Sequence, residues 1–260
     1  MDKGKLKRSG QVLAPSIFTV ANMVCGFYAL LAAHMGEYTS GGLAIIGGIV
    51  FDMLDGRVAR LVHGESVFGV EFDSLSDFLT FCVSPAYLVY ALLLKDYGVG
   101  GFVVAFVFAL CGGLRLARFN AVVHVGQGSK THFQGLPTPA AAGFLASFII
   151  LYEIVELDKP ARTLSFVMDQ IPLVASFVPF VVLALAFLMV SNVPYAAAKR
   201  PDLLHPRNVK LMGGVALFLA FLYFYPQNAI FMLFLFYVLS GFTRLFLPRR
   251  PVPPVEQPKA

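Results

Sequence analysis

The chain has 260 residues, of which 58% are hydrophobic and only 13% are charged, whereas soluble domains carry about 25% charged residues. A mean hydropathy of +0.75 excludes a disordered chain, and three Cys are too few for a small disulfide scaffold. The net charge of +5 fits basic residues that lie on one side of a membrane and attract its lipids, so no nucleic-acid partner is expected.

Apolar stretches divide almost the whole chain into candidate membrane spans. A spanning helix needs about 20 predominantly apolar residues. Eight stretches meet this description: 15–34, 42–61, 74–94, 99–119, 136–155, 171–193, 209–225 and 228–246. The sequence therefore predicts an all-α, polytopic membrane bundle of about eight transmembrane helices.

The distribution of Lys and Arg predicts which way this bundle faces. The two tails and the even-numbered connections hold 17 of the 20 basic residues, and only Lys95, Lys159 and Arg162 fall on the other side. Because basic residues are retained in the cytoplasm, we expect a multi-pass protein of the cell membrane with both termini cytoplasmic. The expected divisions are a basic tail over 1–14, a transmembrane domain over 15–246 and a disordered Pro-rich tail over 247–260.

Four carboxylates interrupt the cytoplasmic ends of the second and third predicted spans, at Asp52, Asp55, Asp73 and Asp77. An aspartate at the centre of a membrane helix costs about 2.5 to 3.5 kcal/mol on insertion scales, and neighbouring acids also repel one another. One or two such acids would fit salt-bridged side chains near the interface. Four at matched depth indicate a compensating cation.

Helical spacing brings these acids together. Asp52 and Asp55 lie on one helical stripe at i and i+3, and Asp73 and Asp77 lie on another at i and i+4. A reversal centred on Gly64 would place the two stripes opposite each other. Oxygen ligands suit hard divalent cations, which leaves Mg²⁺, Mn²⁺ and Ca²⁺ open, and the charge fits two ions. A cation-coupled transporter also places acids within the membrane and is the alternative from another class.

Glycine and arginine accompany the acids on the same stripes. Gly56 and Gly69 would let a ligand approach the backbone closely, although small residues also serve helix packing. Arg60 is suited to binding a phosphate, with anchoring of the cytoplasmic helix end as the alternative.

The segment from Asp52 to Asp77 resembles the signature of the CDP-alcohol phosphotransferase family. That signature is D-x2-D-G-x2-A-R-x8-G-x3-D-x3-D, and all eight of its fixed positions match: Asp52, Asp55, Gly56, Ala59, Arg60, Gly69, Asp73 and Asp77. Three further stretches, LRLARFN from Leu114, FQGLPTPAAA from Phe133 and VSNVPYAAAKR from Val190, look like those of the family's serine-using, membrane-integral branch.

The resemblance implies a core of six helices around a polar cavity that opens to the cytosol, with two additional C-terminal spans and a homodimeric assembly. It implies transfer of the phosphatidyl group from CDP-diacylglycerol to the hydroxyl of L-serine, which gives phosphatidylserine and CMP. Another acceptor, such as glycerol phosphate, an inositol phosphate or choline, is the alternative within the family.

The resemblance also assigns roles to the matched residues. Asp52, Asp55, Asp73 and Asp77 would hold Mg²⁺ or Mn²⁺, as two ions, and Asp77 would also be the general base. The nucleotide would be bound by residues of the same signature: Asp52, Asp55, Gly56, Ala59, Arg60 and Gly69.

Cationic side chains beyond the signature are the candidates for binding the carboxylate of serine. We expect one or two of Arg115, Arg118 and Lys130 to do so, and Arg118 is the preferred residue. A role in topology alone is the alternative for Arg118.

Overall fold

The computed structural model describes residues 3–62, 67–124, 132–157, 164–196 and 219–246. Most of them are helical. The α-helices named here are α1 (Lys3–Met35), α2 (Tyr38–Val62), α3 (Val67–Asp77), α4 (Ser84–Val89), α5 (Gly98–His124), α6 (Thr138–Glu156), α7 (Ser165–Met168), α8 (Ile171–Ser176), α9 (Val178–Val190) and α10 (Pro226–Phe246). Two π-helices (Phe78–Val83 and Tyr90–Leu94) and a 3₁₀ turn (Lys95–Tyr97) link α3, α4 and α5.

The membrane helical bundle predicted from the sequence is confirmed. Within the described ranges, three helical stretches are long and apolar enough to cross a membrane: Ile17–Met35, Phe68–Ala121 and Thr138–Glu156. The second contains two predicted spans, which the turn at Lys95–Tyr97 and the positive φ of Gly98 (56°) separate. The predicted number of eight spans stays a prediction, because most of 209–225 lies outside the described residues, as does the whole of 247–260.

α2 is long enough to cross a membrane, but Asp52 and Asp55 lower its hydropathy. α1 begins at Lys3, so the basic N-terminal segment continues into the first span as one helix.

Three hydroxyl groups, on α3, the first π-helix and α4, form hydrogen bonds to α1. Three side chains at four-residue intervals each donate to a carbonyl of α1: Ser76 Oγ to Thr19 O (3.0 Å), Thr80 Oγ1 to Asn22 O (2.9 Å) and Ser84 Oγ to Gly26 O (2.8 Å). Gly26 permits this close approach, since a Cβ there would collide with Thr80. Small and hydroxylated side chains are the usual means of close helix packing within a membrane.

α6 is the central helix of the bundle. Fifteen of its 19 residues are buried, which fits a helix that is apolar on all sides. Near its C-terminal end, the buried Glu153 carboxylate accepts hydrogen bonds from the backbone N–H of Thr39 and from Thr39 Oγ1 (2.6 Å). Glu153 thus supplies the negative charge that the first turn of α2 lacks in its own sequence.

A short antiparallel ribbon accompanies the helices of this all-α bundle. Strand β1 (His132–Gln134) pairs with β2 (Pro194–Ala196), with Phe133 opposite Tyr195. The chain leaves β1 through Gly135, whose φ is 80° and which packs against the Met189 carbonyl too closely for a Cβ. The ribbon therefore connects the start of α6 to the segment that follows α9.

Candidate active site

The structure brings together three of the four aspartates predicted from the sequence. Asp52 lies on α2, and Asp73 and Asp77 lie one turn apart on α3. Each offers a carboxylate oxygen, and these three oxygens all lie within 4.8 Å of one another. The three side chains are half-buried, so the cluster remains partly accessible.

Asp55 lies beside this cluster and is the most buried of the four, with 6% of its surface exposed. Its negative charge acts on both Asp52 and Asp73. Thr19 Oγ1 on α1 donates a hydrogen bond to Asp55 Oδ2. Asp55 Oδ1 is buried and has no hydrogen-bond partner among the described residues.

Asp77 is also held by α1, because Asn22 Nδ2 donates to Asp77 Oδ1 at 3.0 Å. Thr19 and Asn22 are three residues apart and therefore face the same side of α1. From the sequence, Asn22 is open to two interpretations, a functional role or a contact between helices, and Thr19 is not singled out. The signal was present, since a Thr and an Asn at i and i+3 in an apolar helix are themselves polar residues that require partners.

A π-helix, Phe78–Val83, begins at the residue that follows Asp77. Its Ser84 N–H bonds to Leu79 O, five residues earlier. Pro85 explains the change of pitch, because proline has no N–H with which to bond the carbonyl four residues before it. π-helices of this kind are frequent at functional sites, and this one carries Thr80, whose hydroxyl donates to Asn22 O on α1.

The remaining signature residues lie on the same two helices. Gly56 on α2 and Gly69 on α3 are both half-buried. Ala59 and Arg60 belong to the last turn and a half of α2, and their side chains lie outside the described part of the structure, as does the predicted reversal at Gly64. Their predicted roles in binding a nucleotide stay predictions.

The two arginines predicted for the acceptor have different surroundings. Arg118 is exposed, and its guanidinium donates to Asn192 Oδ1 (2.9 Å) and to Val190 O (3.5 Å), so it fixes the segment after α9. Arg115 lies one turn earlier on α5, is half-buried and donates to Thr138 Oγ1 at 3.5 Å. Lys130 lies outside the described residues.

Arg115 is a half-buried cation whose charge acts on Asp77. The attraction between the two charges is mutual. Arg115 Nε is buried and has no hydrogen-bond partner in the described ranges. A second contact between α5 and α3 comes from Asn120 Nδ2, which donates to Ser74 Oγ at 2.8 Å. Asn120 therefore braces the helix that carries Asp73 and Asp77.

The carboxylate oxygens of this cluster fit the ligands of a divalent cation. Asp55 Oδ1 and Asp73 Oδ1 are both buried acceptors that the described residues leave without a donor. A carboxylate in that position is costly unless a cation or another donor satisfies it. Clustered oxygen ligands without His or Cys suit Mg²⁺, Mn²⁺ or Ca²⁺.

Comparison with known proteins identifies the class of protein that carries this site. The model of the CDP-alcohol phosphatidyltransferase family matches residues 12–190, a segment that contains all four aspartates, Arg115 and Arg118. The chain belongs to this family, which is a family of transferases, and the family resemblance read from the sequence is confirmed.

Individual relatives are similar over most of the chain. The CDP-diacylglycerol–serine O-phosphatidyltransferase of Helicobacter pylori is 32% identical over 236 residues, 90% of this chain and 92% of that one. The archaetidylserine synthase of Methanothermobacter thermautotrophicus is 30% identical over 71% of this chain and 70% of its own length. The CDP-diacylglycerol–serine O-phosphatidyltransferase of Bacillus subtilis is 32% identical over 154 residues, 59% of this chain and 85% of its own length.

Proposed function

We propose that this protein transfers the phosphatidyl group of CDP-diacylglycerol to the hydroxyl of L-serine and releases phosphatidylserine and CMP. The observation that carries the proposal is the cluster of Asp52, Asp73 and Asp77 within a chain of this family. The names of relatives that match about 90% of the chain support serine as the acceptor.

The acidic cluster would hold the divalent ions, with Asp52, Asp73 and Asp77 at the centre and Asp55 at its edge. Two ions, Mg²⁺ or Mn²⁺, fit four carboxylates. When bound, they neutralise charge on the diphosphate of the lipid nucleotide and orient it for displacement. The half-buried Gly56 and Gly69 on the same helices leave room for the nucleotide to approach.

Asp77 is the proposed general base. The serine hydroxyl is a weak nucleophile near neutral pH, and a carboxylate within hydrogen-bond reach must take its proton as the new bond forms. The serine oxygen bonds to the phosphorus of the phosphatidyl group, and the bond from that phosphorus to the CMP phosphate oxygen breaks. Asn22 holds one oxygen of Asp77 at 3.0 Å, which fixes the direction of the other.

Arg115 is the residue we now favour for the serine carboxylate. Arg118, the residue preferred from the sequence, donates to Asn192 and Val190 and is exposed. Arg115 interacts with Asp77 and has a buried Nε that the described residues do not engage. A guanidinium binds a carboxylate with two parallel hydrogen bonds, which suits an amino-acid acceptor.

We further propose that the site faces the cytoplasm of a cell membrane and that the protein is a homodimer. The excess of Lys and Arg on one side supports the orientation. Family resemblance alone supports the dimer. Mass measurement in detergent tests it, and a monomer at all concentrations would reject it.

One experiment tests the function directly. The purified full-length protein is supplied with CDP-diacylglycerol, Mg²⁺ or Mn²⁺, and one acceptor at a time from a panel of L-serine, glycerol 3-phosphate, inositol phosphate and choline. CMP release that depends on L-serine is the expected result. Release with another acceptor alone would assign a different reaction of the family, and no release with any acceptor would leave the transporter alternative.

A further inference from the structure

Helix α5 packs closely on the helical stretch that begins with α3. Two glycines of α5 permit the approach, since a Cβ on Gly112 would collide with the Cys82 thiol and a Cβ on Gly113 would collide with the Phe78 ring. Phe78 and Cys82 belong to the π-helix that directly follows α3. These contacts place α5 against the continuation of the helix that carries two of the clustered aspartates.

Toward its C-terminal end, α5 meets α3 itself through a polar contact. Asn120 Nδ2 donates a hydrogen bond to Ser74 Oγ at 2.8 Å, and Ser74 Oγ donates in turn to Val70 O at 3.1 Å. Asn120 lies seven residues after Gly113 and therefore on the same face of α5. Ser74 directly follows Asp73, so the bond joins α5 to the turn of α3 at which the acids begin.

α5 is also bound to the chain segments that lie on its other side. Arg118 donates to Asn192 Oδ1, beyond α9, at 2.9 Å. Arg115 donates to Thr138 Oγ1, at the start of α6, at 3.5 Å. Asn120 thus lies where two parts of the site meet. One part is the helix of the aspartates, and the other is the helix of the candidate acceptor-binding arginines.

We propose that Asn120 is a positioning residue for the transfer reaction, because its hydrogen bond to Ser74 sets the distance between α5 and the aspartates of α3. This inference rests on the proposed function and deepens it. The hydroxyl of the acceptor must reach the phosphorus of the lipid nucleotide in a defined orientation before the new bond can form. Asn120 contributes to that orientation through the two helices that it joins and supplies no chemistry itself.

The effect is expected in kcat more than in the KM of either substrate. Without the bond, the aspartates stay on α3 and the arginines stay on α5, so each substrate retains its own binding residues. Their mutual alignment is what changes. A neutral hydrogen bond is worth only a few-fold in an equilibrium, whereas a misplacement of about 1 Å can lower a rate about 100-fold. Because the glycine contacts still hold α5, we expect an intermediate loss of about tenfold in kcat.

The test compares Asn120→Ala, Ser74→Ala and the double variant in the full-length protein. CMP release gives kcat and the separate KM values for L-serine and CDP-diacylglycerol. Each single change removes the same bond, so each should lower kcat about tenfold and leave both KM values within about threefold of the wild type. The double variant should be no slower than either single variant, since the bond can be lost only once. Ser74→Thr retains a hydroxyl and should keep a kcat close to that of the wild type.

Ser176→Ala is the matched control for the loss of a helix hydroxyl. Ser176 Oγ on α8 donates to Pro172 O at 3.1 Å, which is the same bond to the fourth preceding residue that Ser74 makes to Val70. This variant should leave kcat unchanged. The value of kcat is calculated per binding site for CDP-diacylglycerol, counted in a direct binding measurement, so that unfolded protein does not enter it.

A wild-type kcat in Asn120→Ala overturns the inference. So does a multiplied loss in the double variant, a loss in Ser74→Thr as large as in Ser74→Ala, or a change confined to the KM for serine. A wild-type protein that releases no CMP with serine rejects the proposed function itself and is seen before any variant is made.

Discussion

Replacement of Thr19 by Val tests whether α1 helps to build the metal site. Valine keeps the shape of threonine but removes the hydroxyl that donates to Asp55 Oδ2. The other oxygen of Asp55 already has no partner among the described residues, so the variant would leave a carboxylate with 6% exposure without any donor that the structure describes. Asp55 would still repel Asp52 and Asp73, but no described hydrogen bond would hold its carboxylate in position.

The magnitude follows from the bond that is lost. A hydrogen bond to a charged group contributes about 1.5 to 3 kcal/mol, and each tenfold change in affinity corresponds to about 1.4 kcal/mol. The half-saturating concentration of Mg²⁺ or Mn²⁺ should therefore rise about 10- to 100-fold, the range that loss of a group supporting a metal ligand generally causes.

The assay is a metal titration of CMP release at saturating CDP-diacylglycerol and serine. Thr19→Ser retains the hydroxyl and is the matched control, with half-saturation close to that of the wild type. Saturating metal should restore much of the activity of Thr19→Val. The reasoning is refuted if Thr19→Val titrates at the same metal concentration as the wild type while it remains folded.

Three further predictions concern the base, the acceptor and the packing. Asp77→Asn should abolish CMP release but retain binding of CDP-diacylglycerol in a direct binding measurement; near-normal turnover would reject Asp77 as the base. Arg115→Ala should raise the KM for serine at least tenfold, as expected for a bond to a charged group, and more than Arg118→Ala does; the reverse order would return the carboxylate site to Arg118. Gly26→Ala should destabilise the protein by about 1 to 3 kcal/mol, because its Cβ meets Thr80, and an unchanged melting temperature in detergent would show that α1 moves freely.

The acidic cluster was accessible from the sequence because it depends on local spacing. Asp73 and Asp77 are one turn apart on any helix, and Asp52 lies on α2, the helix that precedes α3 in the chain. A helical hairpin with these positions can hardly avoid placing the acids near one another. Their detailed arrangement is less regular than the sequence predicts, since Asp55 turns toward Thr19 and the other three share the closest approach.

The residues of α1 that hold the acidic cluster in place, Thr19 and Asn22, could not be predicted from local spacing. Thr19 and Asp55 are 36 residues apart, and Asn22 and Asp77 are 55 residues apart, so each pair depends on how α1 docks. The π-helix after Asp77 was also missed, although Pro85 was the local sign of it. Tertiary contacts of this kind are not encoded by periodicity, which states which face of a helix is polar but not which partner it meets.

The hydrogen bonds that hold the helices together are separate from the carboxylates of the site. The hydroxyls of Ser76, Thr80 and Ser84 donate to carbonyls of α1 and use no carboxylate of the site. These bonds hold α3 and the following helices against α1 whatever the charge on the acids, and they do so where water cannot compete. Repulsion among four neighbouring carboxylates, which would otherwise separate α2 from α3, is thereby opposed by neutral contacts. These neutral contacts therefore favour an arrangement in which the acids are close enough to share a cation.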